Sequence, residues 1–134
     1  MFSVEVRDRI MIAHSLPDPF FGPAQNLHGA TYIVDVAFFR QSLTDQNVVV
    51  DIGAAHTALG KALKPLAYQN LDALPQFDGR LTTTEFLCKY VFDCLVQSAE
   101  SGALGADGKT LSRIRVTFSE TDLARATYEG SIRG

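Results

Sequence analysis

At 134 residues the chain has room for one ordinary domain, residues 1–134, with a single core. Its 12 Lys and Arg stand against 15 Asp and Glu with no basic cluster, which argues against nucleic acid as a partner. The opening MFSVEVRDR alternates apolar and charged residues rather than forming a basic leader with an apolar centre, and no run approaches membrane-spanning length, so the expectation is a cytoplasmic protein with no membrane partner.

Phe2, Val4, Val6, Ile10, Ile12 and His14 share even parity, the pattern of a long first strand with one buried face. Residues 27–41, LHGATYIVDVAFFRQ, are rich in β-branched and aromatic side chains and predict a second strand, with His28, Ala30, Tyr32 and Val34 on one face. VVVD at 48–51 predicts a short additional strand. Asp51 then reads as the cap of a helix whose apolar positions are Ile52, Ala55, Leu59, Ala62, Leu63 and Leu66, ending near Pro65. After the loop through PQFDG, a second helix begins with Thr82 or Thr83 near its cap and Glu85 in the first turn. Its expected stripe is Phe86, Leu87, Tyr90, Val91, Cys94 and Leu95. Cys88 and Cys94, the only cysteines, lie six residues apart on different faces of this helix and cannot bridge. SRIRVTFSE and ARATYEG predict two further strands paired as a hairpin around TDL.

Four main antiparallel strands with two helices on one face make an α+β layer with two open sheet edges. With 46% hydrophobic residues, the chain is expected to use those edges for homo-oligomerisation.

Five short motifs, IAHSL around His14, NLHG at 26–29, KPLAYQNLD at 64–72, TTTE at 82–85 and SET at 119–121, occur in the order and at about the separations of one family. On these motifs the chain resembles the 6-pyruvoyl- and 6-carboxy-tetrahydropterin synthases over nearly its whole length. The resemblance implies a tunnelling fold, in which three subunits close their sheets into a twelve-stranded barrel, two trimers commonly stack into a hexamer, and active sites lie at subunit interfaces. It also implies chemistry on the side chain of a dihydropterin triphosphate, with a histidine-bound zinc acting as a Lewis acid at an open coordination position.

By that resemblance His14 and His28 match two of three zinc ligands, and Ala30 occupies the place of the third, so the implied zinc site is incomplete and weak. The family's catalytic cysteine falls on Ala24, and its helper Asp-His pair falls on Ala67 and Tyr68. An alanine cannot orient a base, and a phenol is a poor base at neutral pH. The positions that anchor the pterin are intact: Glu120 matches the carboxylate that accepts paired hydrogen bonds from the heterocycle, and Thr83, Thr84 and Glu85 match a segment lining the same pocket in some relatives. Plainer readings stand beside these. Thr83, Thr84 and Glu85 also make an ordinary helix start, Glu120 an ordinary solvated carboxylate, and His14 and His28 ordinary hydrogen-bonded histidines. His56, on the first helix, is a remote substitute for the missing ligand, and Tyr68 a substitute proton donor.

The resulting expectation is a homo-oligomeric, pterin-synthase-like protein that binds a pterin or purine-like heterocycle, with the parent chemistry lost or altered. Its rivals are an active lyase using replacement residues and a pseudoenzyme whose role is assembly.

Overall fold

The computed structural model describes residues 1–132. Strands β1 (Phe2–His14) and β2 (His28–Arg40) form a long antiparallel pair in unbroken register from Phe2 opposite Arg40 to His14 opposite His28. Strand β3 (Arg113–Thr121) joins β2, and β4 (Ala124–Ser131) joins β3, giving an antiparallel sheet in the order β1-β2-β3-β4. Helices α1 (Ile52–Leu63) and α2 (Thr84–Ser101) occupy the connection between β2 and β3. This is the α+β layer that the periodicity predicts.

One expected element does not form. Residues 48–51 are not a strand; they turn, burying Val49 and Val50, and the Val49 carbonyl accepts a hydrogen bond from the buried Arg40 guanidinium at 3.0 Å instead of joining a ladder. Three β-branched residues read as a strand, but their burial is served as well by a turn that delivers Asp51 to cap α1, where its carboxylate accepts from the Ala54 N–H at 3.0 Å.

The helices cover one face of the sheet, α1 over β1 and α2 over β3 and β4, and touch each other. Val6, Ile10 and Ile12 of β1, Tyr32, Val34, Val36 and Phe38 of β2, and Ile114, Val116 and Phe118 of β3 meet Leu59 and Leu63 of α1 and Leu87, Val91 and Leu95 of α2. Phe2 and Ile52, assigned to the buried faces by pattern, sit at element ends and are exposed. On α2 the buried stripe includes Cys88, Phe92 and Ala99, while Phe86, Tyr90 and Cys94 stand at its margin. Both cysteines are free, as their spacing requires. The helix ends at Gly102, whose φ of 88° is the left-handed cap that glycine adopts without strain.

The other face of the sheet carries paired charges: Arg7 with Asp35 at 2.7 Å, Arg113 with Glu129 at 3.3 Å, and Arg115 with Glu5 at 3.7 Å. The outer edge of β1 is masked near its end, where Tyr68 donates its N–H to the Met11 carbonyl and Ala13 donates to that of Gln69. Among the described residues, no helix is long and apolar enough to cross a membrane.

Candidate functional site

The end of β1, the start of β2, the start of α2 and the end of β3 converge on a pocket of about 260 Å³. The β1–β2 register brings His14 and His28 directly opposite each other, with ring centroids 4.6 Å apart in an edge-to-face arrangement. His14 is 2% exposed, and its Nδ1 lies 3.0 Å from the hydroxyl of Thr82, which is 1% exposed. His28 donates from Nδ1 to the Asn26 carbonyl at 2.8 Å; because a carbonyl can only accept, His28 is left with Nε2 as its lone-pair nitrogen. Burial pushes the His14 pKa down, the neighbouring His28 adds to that, and Asp72, Thr82 and Glu120 pull the other way. Asp72 is fixed by Ser15, which donates to it from its backbone N–H at 3.0 Å and from its hydroxyl at 2.6 Å.

The opposite wall comes from α2 and β3. Thr83 caps α2, its hydroxyl accepting from the Phe86 N–H at 3.1 Å, and Thr84 and Glu85 form the first turn. Glu120 sits where the β3–β4 register shifts, between the Ser119–Arg125 and Thr121–Ala124 pairs. Such a bulge leaves one residue outside the ladder and re-aims its side chain. Tyr32 closes the floor, 1% exposed, with its pKa pushed up to about 12 chiefly by burial, so its phenol keeps its proton.

His14, His28, Thr83, Thr84, Glu85 and Glu120, from four separate stretches of sequence, thus all line one pocket. Thr83 also performs the plain capping role; Thr82 does not cap, since its hydroxyl is engaged with His14. Ala24 contributes only a methyl group to the wall. Tyr68 is not in the lining: it is 82% exposed, at a positive φ of 59° that non-glycine residues seldom adopt. His56 is exposed on α1, also outside the lining. Leu16, Phe21 and Tyr32 of the lining escape a sequence reading, as does Thr82, which stands outside the lining as the partner of His14. Tyr32 shares the parity of His28, which was a usable signal, whereas nothing local marks Thr82 as the partner of a histidine 68 positions away.

The donors only half fit a zinc centre. The two imidazoles stand side by side and His28 presents the right tautomer, but residue 30 offers a methyl group, and no set of three His, Cys, Asp or Glu among the described residues is grouped to hold a metal. Neither cysteine supplies a thiolate nearby: burial pushes Cys88 up to about 11 and its thiol donates to the Ala126 carbonyl at 3.3 Å.

The family model for 6-pyruvoyl tetrahydropterin synthase matches residues 3–131. The chain belongs to this family. No curated protein matches it significantly in sequence. Among solved structures, 6-pyruvoyl tetrahydropterin synthase from Caenorhabditis elegans superposes with a TM-score of 0.80 at 23% identity, covering 97% of this chain and 96% of that one. The Plasmodium vivax 6-pyruvoyl tetrahydropterin synthase gives 0.75 at 16% identity, covering 98% and 99%, and that of Plasmodium falciparum 0.73 at 16%, covering 96% and 98%. At such identities the likeness establishes the tunnelling fold of the subunit.

Proposed function

We propose that this 6-pyruvoyl tetrahydropterin synthase family member binds a pterin or purine-like heterocycle in the pocket between β1, β2, α2 and β3, and that the parent synthase chemistry is lost or altered. The observation that carries the reading is a split within the site. The groups suited to holding a heterocycle are gathered in the pocket, whereas positions 24, 30 and 67 are alanines and Tyr68 points away from it. Glu120 accepts paired hydrogen bonds from the amino and ring N–H groups of an aminopyrimidinone edge, while Thr83, Thr84 and Glu85 border the ring. Tyr32, protonated, buried and hydrogen-bonded to Thr84, closes the floor. His14 and His28 would hold zinc only weakly, as an incomplete site.

The protein works as a cytoplasmic homo-oligomer built on trimers, with the open edges of β1 and β4 as its pairing surfaces. One observation favours a second reading, an active lyase. Tyr68 is held outward in a strained backbone conformation, and such outliers collect at functional positions; a partner subunit's pocket is then the place for its phenol.

Titration calorimetry with a pterin panel on the wild type and Glu120→Gln tests the binding reading. The substitution replaces one acceptor with a donor at nearly constant shape. A charged hydrogen bond is worth about 1.5–3 kcal/mol, so pterin affinity is expected to fall roughly 10- to 150-fold without change in oligomer size. Equal affinity in the two proteins would remove Glu120 from the site, and no affinity in the wild type would leave assembly as the remaining role.

A further inference from the structure

The connection from β1 to β2 carries two adjacent aromatic residues that the core does not use. Its middle, the short turn Pro19–Gln25, buries none of its own side chains. Hydrogen bonds hold it instead. The Asp18 carboxylate accepts from the Phe20 N–H at 2.9 Å and the Asp18 carbonyl from the Phe21 N–H at 3.0 Å, while Leu16, itself buried, donates its N–H to the Ala24 carbonyl at 3.0 Å. Gly22, at φ 53° and ψ −125°, redirects the chain directly after Phe21 in a conformation open to glycine. The turn is therefore pinned by its backbone while its apolar side chains stay outside the core. Phe21 lines the same pocket as His14, His28, Tyr32 and Glu120, and Phe20, 86% exposed, meets the Phe21 ring edge-to-face at 5.2 Å between centroids. A pinned loop that sets an aromatic ring in a pocket wall, with no share in the core, is the usual way a scaffold presents a ring to a ligand.

We infer that Phe21 is the aromatic wall of this pocket, packing against the flat ring of the bound heterocycle, with Phe20 bracing it. This rests on the pterin-pocket reading above and deepens it by adding a contact that the polar groups do not supply. A carboxylate such as Glu120 reads donors along one edge of a ring, whereas an aromatic side chain reads its flatness and π-system. Together the two contacts select a planar aminopyrimidinone. Phe21 belongs to the same chain as His14, His28 and Glu120, so a neighbouring subunit can extend this wall but is not needed to supply it.

The test is titration calorimetry on the intact protein in chelator, with neopterin as the probe. Phe21→Ala is expected to weaken binding about 5- to 150-fold, the loss that follows removal of an aromatic side chain stacked on a base. Phe21→Leu, which keeps apolar bulk without the π-system, should lose about 2- to 13-fold, and Phe21→Tyr should restore most of that. Because the turn buries no side chain, the urea midpoint of Phe21→Ala should match that of the wild type, which separates a ligand contact from a folding role. Wild-type affinity in Phe21→Ala, or equal affinity in Phe21→Leu and Phe21→Tyr, overturns the inference and leaves the pterin pocket standing. A loss in Phe20→Leu as large as that in Phe21→Ala also overturns it, since the effect would then belong to the turn as a whole. Failure of neopterin to bind the wild type overturns this inference and the pterin-pocket reading together.

Discussion

Replacing one methyl group should rebuild a metal centre. In the β1–β2 ladder His14 faces His28 and Ile12 faces Ala30, so residue 30 projects from the same face as His28, one cross-strand step along. Ala30→His would therefore add a third imidazole beside two whose Nδ1 atoms are already committed, to Thr82 and to the Asn26 carbonyl. Four-ligand structural zinc sites bind with about 10–16 kcal/mol, or roughly 2.5–4 kcal/mol per ligand, so the variant should hold zinc about 10²- to 10³-fold more tightly than the wild type. Ala30 is partly buried against the core, and the added ring should cost about 1–3 kcal/mol of stability, measurable by denaturation without metal. Competition against a chromophoric chelator reads the affinity directly. Equal zinc retention by the two proteins would refute the reasoning and mean that a group outside this pocket, such as His56 or a partner subunit's residue, already completes the site.

Conversion of dihydroneopterin triphosphate to a pyruvoyl or carboxy product should be absent or slow, since loss of a general base alone commonly costs about 10²- to 10⁴-fold; ordinary turnover abolished in Tyr68→Phe, followed by chromatography, would establish the lyase reading instead. Thr82→Val should destabilise the fold by about 1–3 kcal/mol in urea denaturation, because it leaves His14 Nδ1 buried without its partner, whereas Thr82→Ser should restore most of the loss. Burial holds the His14 pKa below its unfolded value of 6.5, so just below that pH the unfolded chain binds more protons than the folded one. The stabilisation is present above 6.5 and lost as the pH falls toward the folded value. Wild-type stability should accordingly drop more steeply than that of His14→Gln between about pH 7 and pH 5, and parallel curves in chelator would count against a buried neutral His14.

The strands were legible because a single buried face imposes alternation, which β1 keeps from Val4 to His14 and β2 from His28 to Val36, before buried Ala37 breaks it. Asp51 and Thr83 were legible because a cap is a local event, settled within three residues of its helix. What escaped depended on distance along the chain. The VVVD run was misjudged because burial of two valines looks the same in sequence whether a ladder or Arg40 satisfies the backbone. Thr82 hid in a run of three threonines, distinguishable only once β1 lies beside the start of α2. The bulge at Glu120 is set by the β3–β4 register, which the sequence SET does not encode alone.

The pocket's floor and walls are positioned by elements that the core also needs. His14, His28 and Tyr32 are held by a continuous two-strand register and by core packing, with Tyr32 against Phe118 at 5.2 Å between ring centroids. Glu120 lies two residues beyond Phe118, at the bulge between the Ser119–Arg125 and Thr121–Ala124 pairs. Thr83 and Glu85 are placed by the start of α2, whose Leu87 and Val91 are fully buried. The positions without family counterparts differ in setting: Ala30 and Ala67 pack against the core, whereas Ala24 lies in the short turn Pro19–Gln25 and Tyr68 follows α1 with its ring exposed. The exposed Tyr68 ring can vary at little cost to folding, whereas Ala30 cannot, which is why the Ala30→His variant should lose stability as it gains zinc.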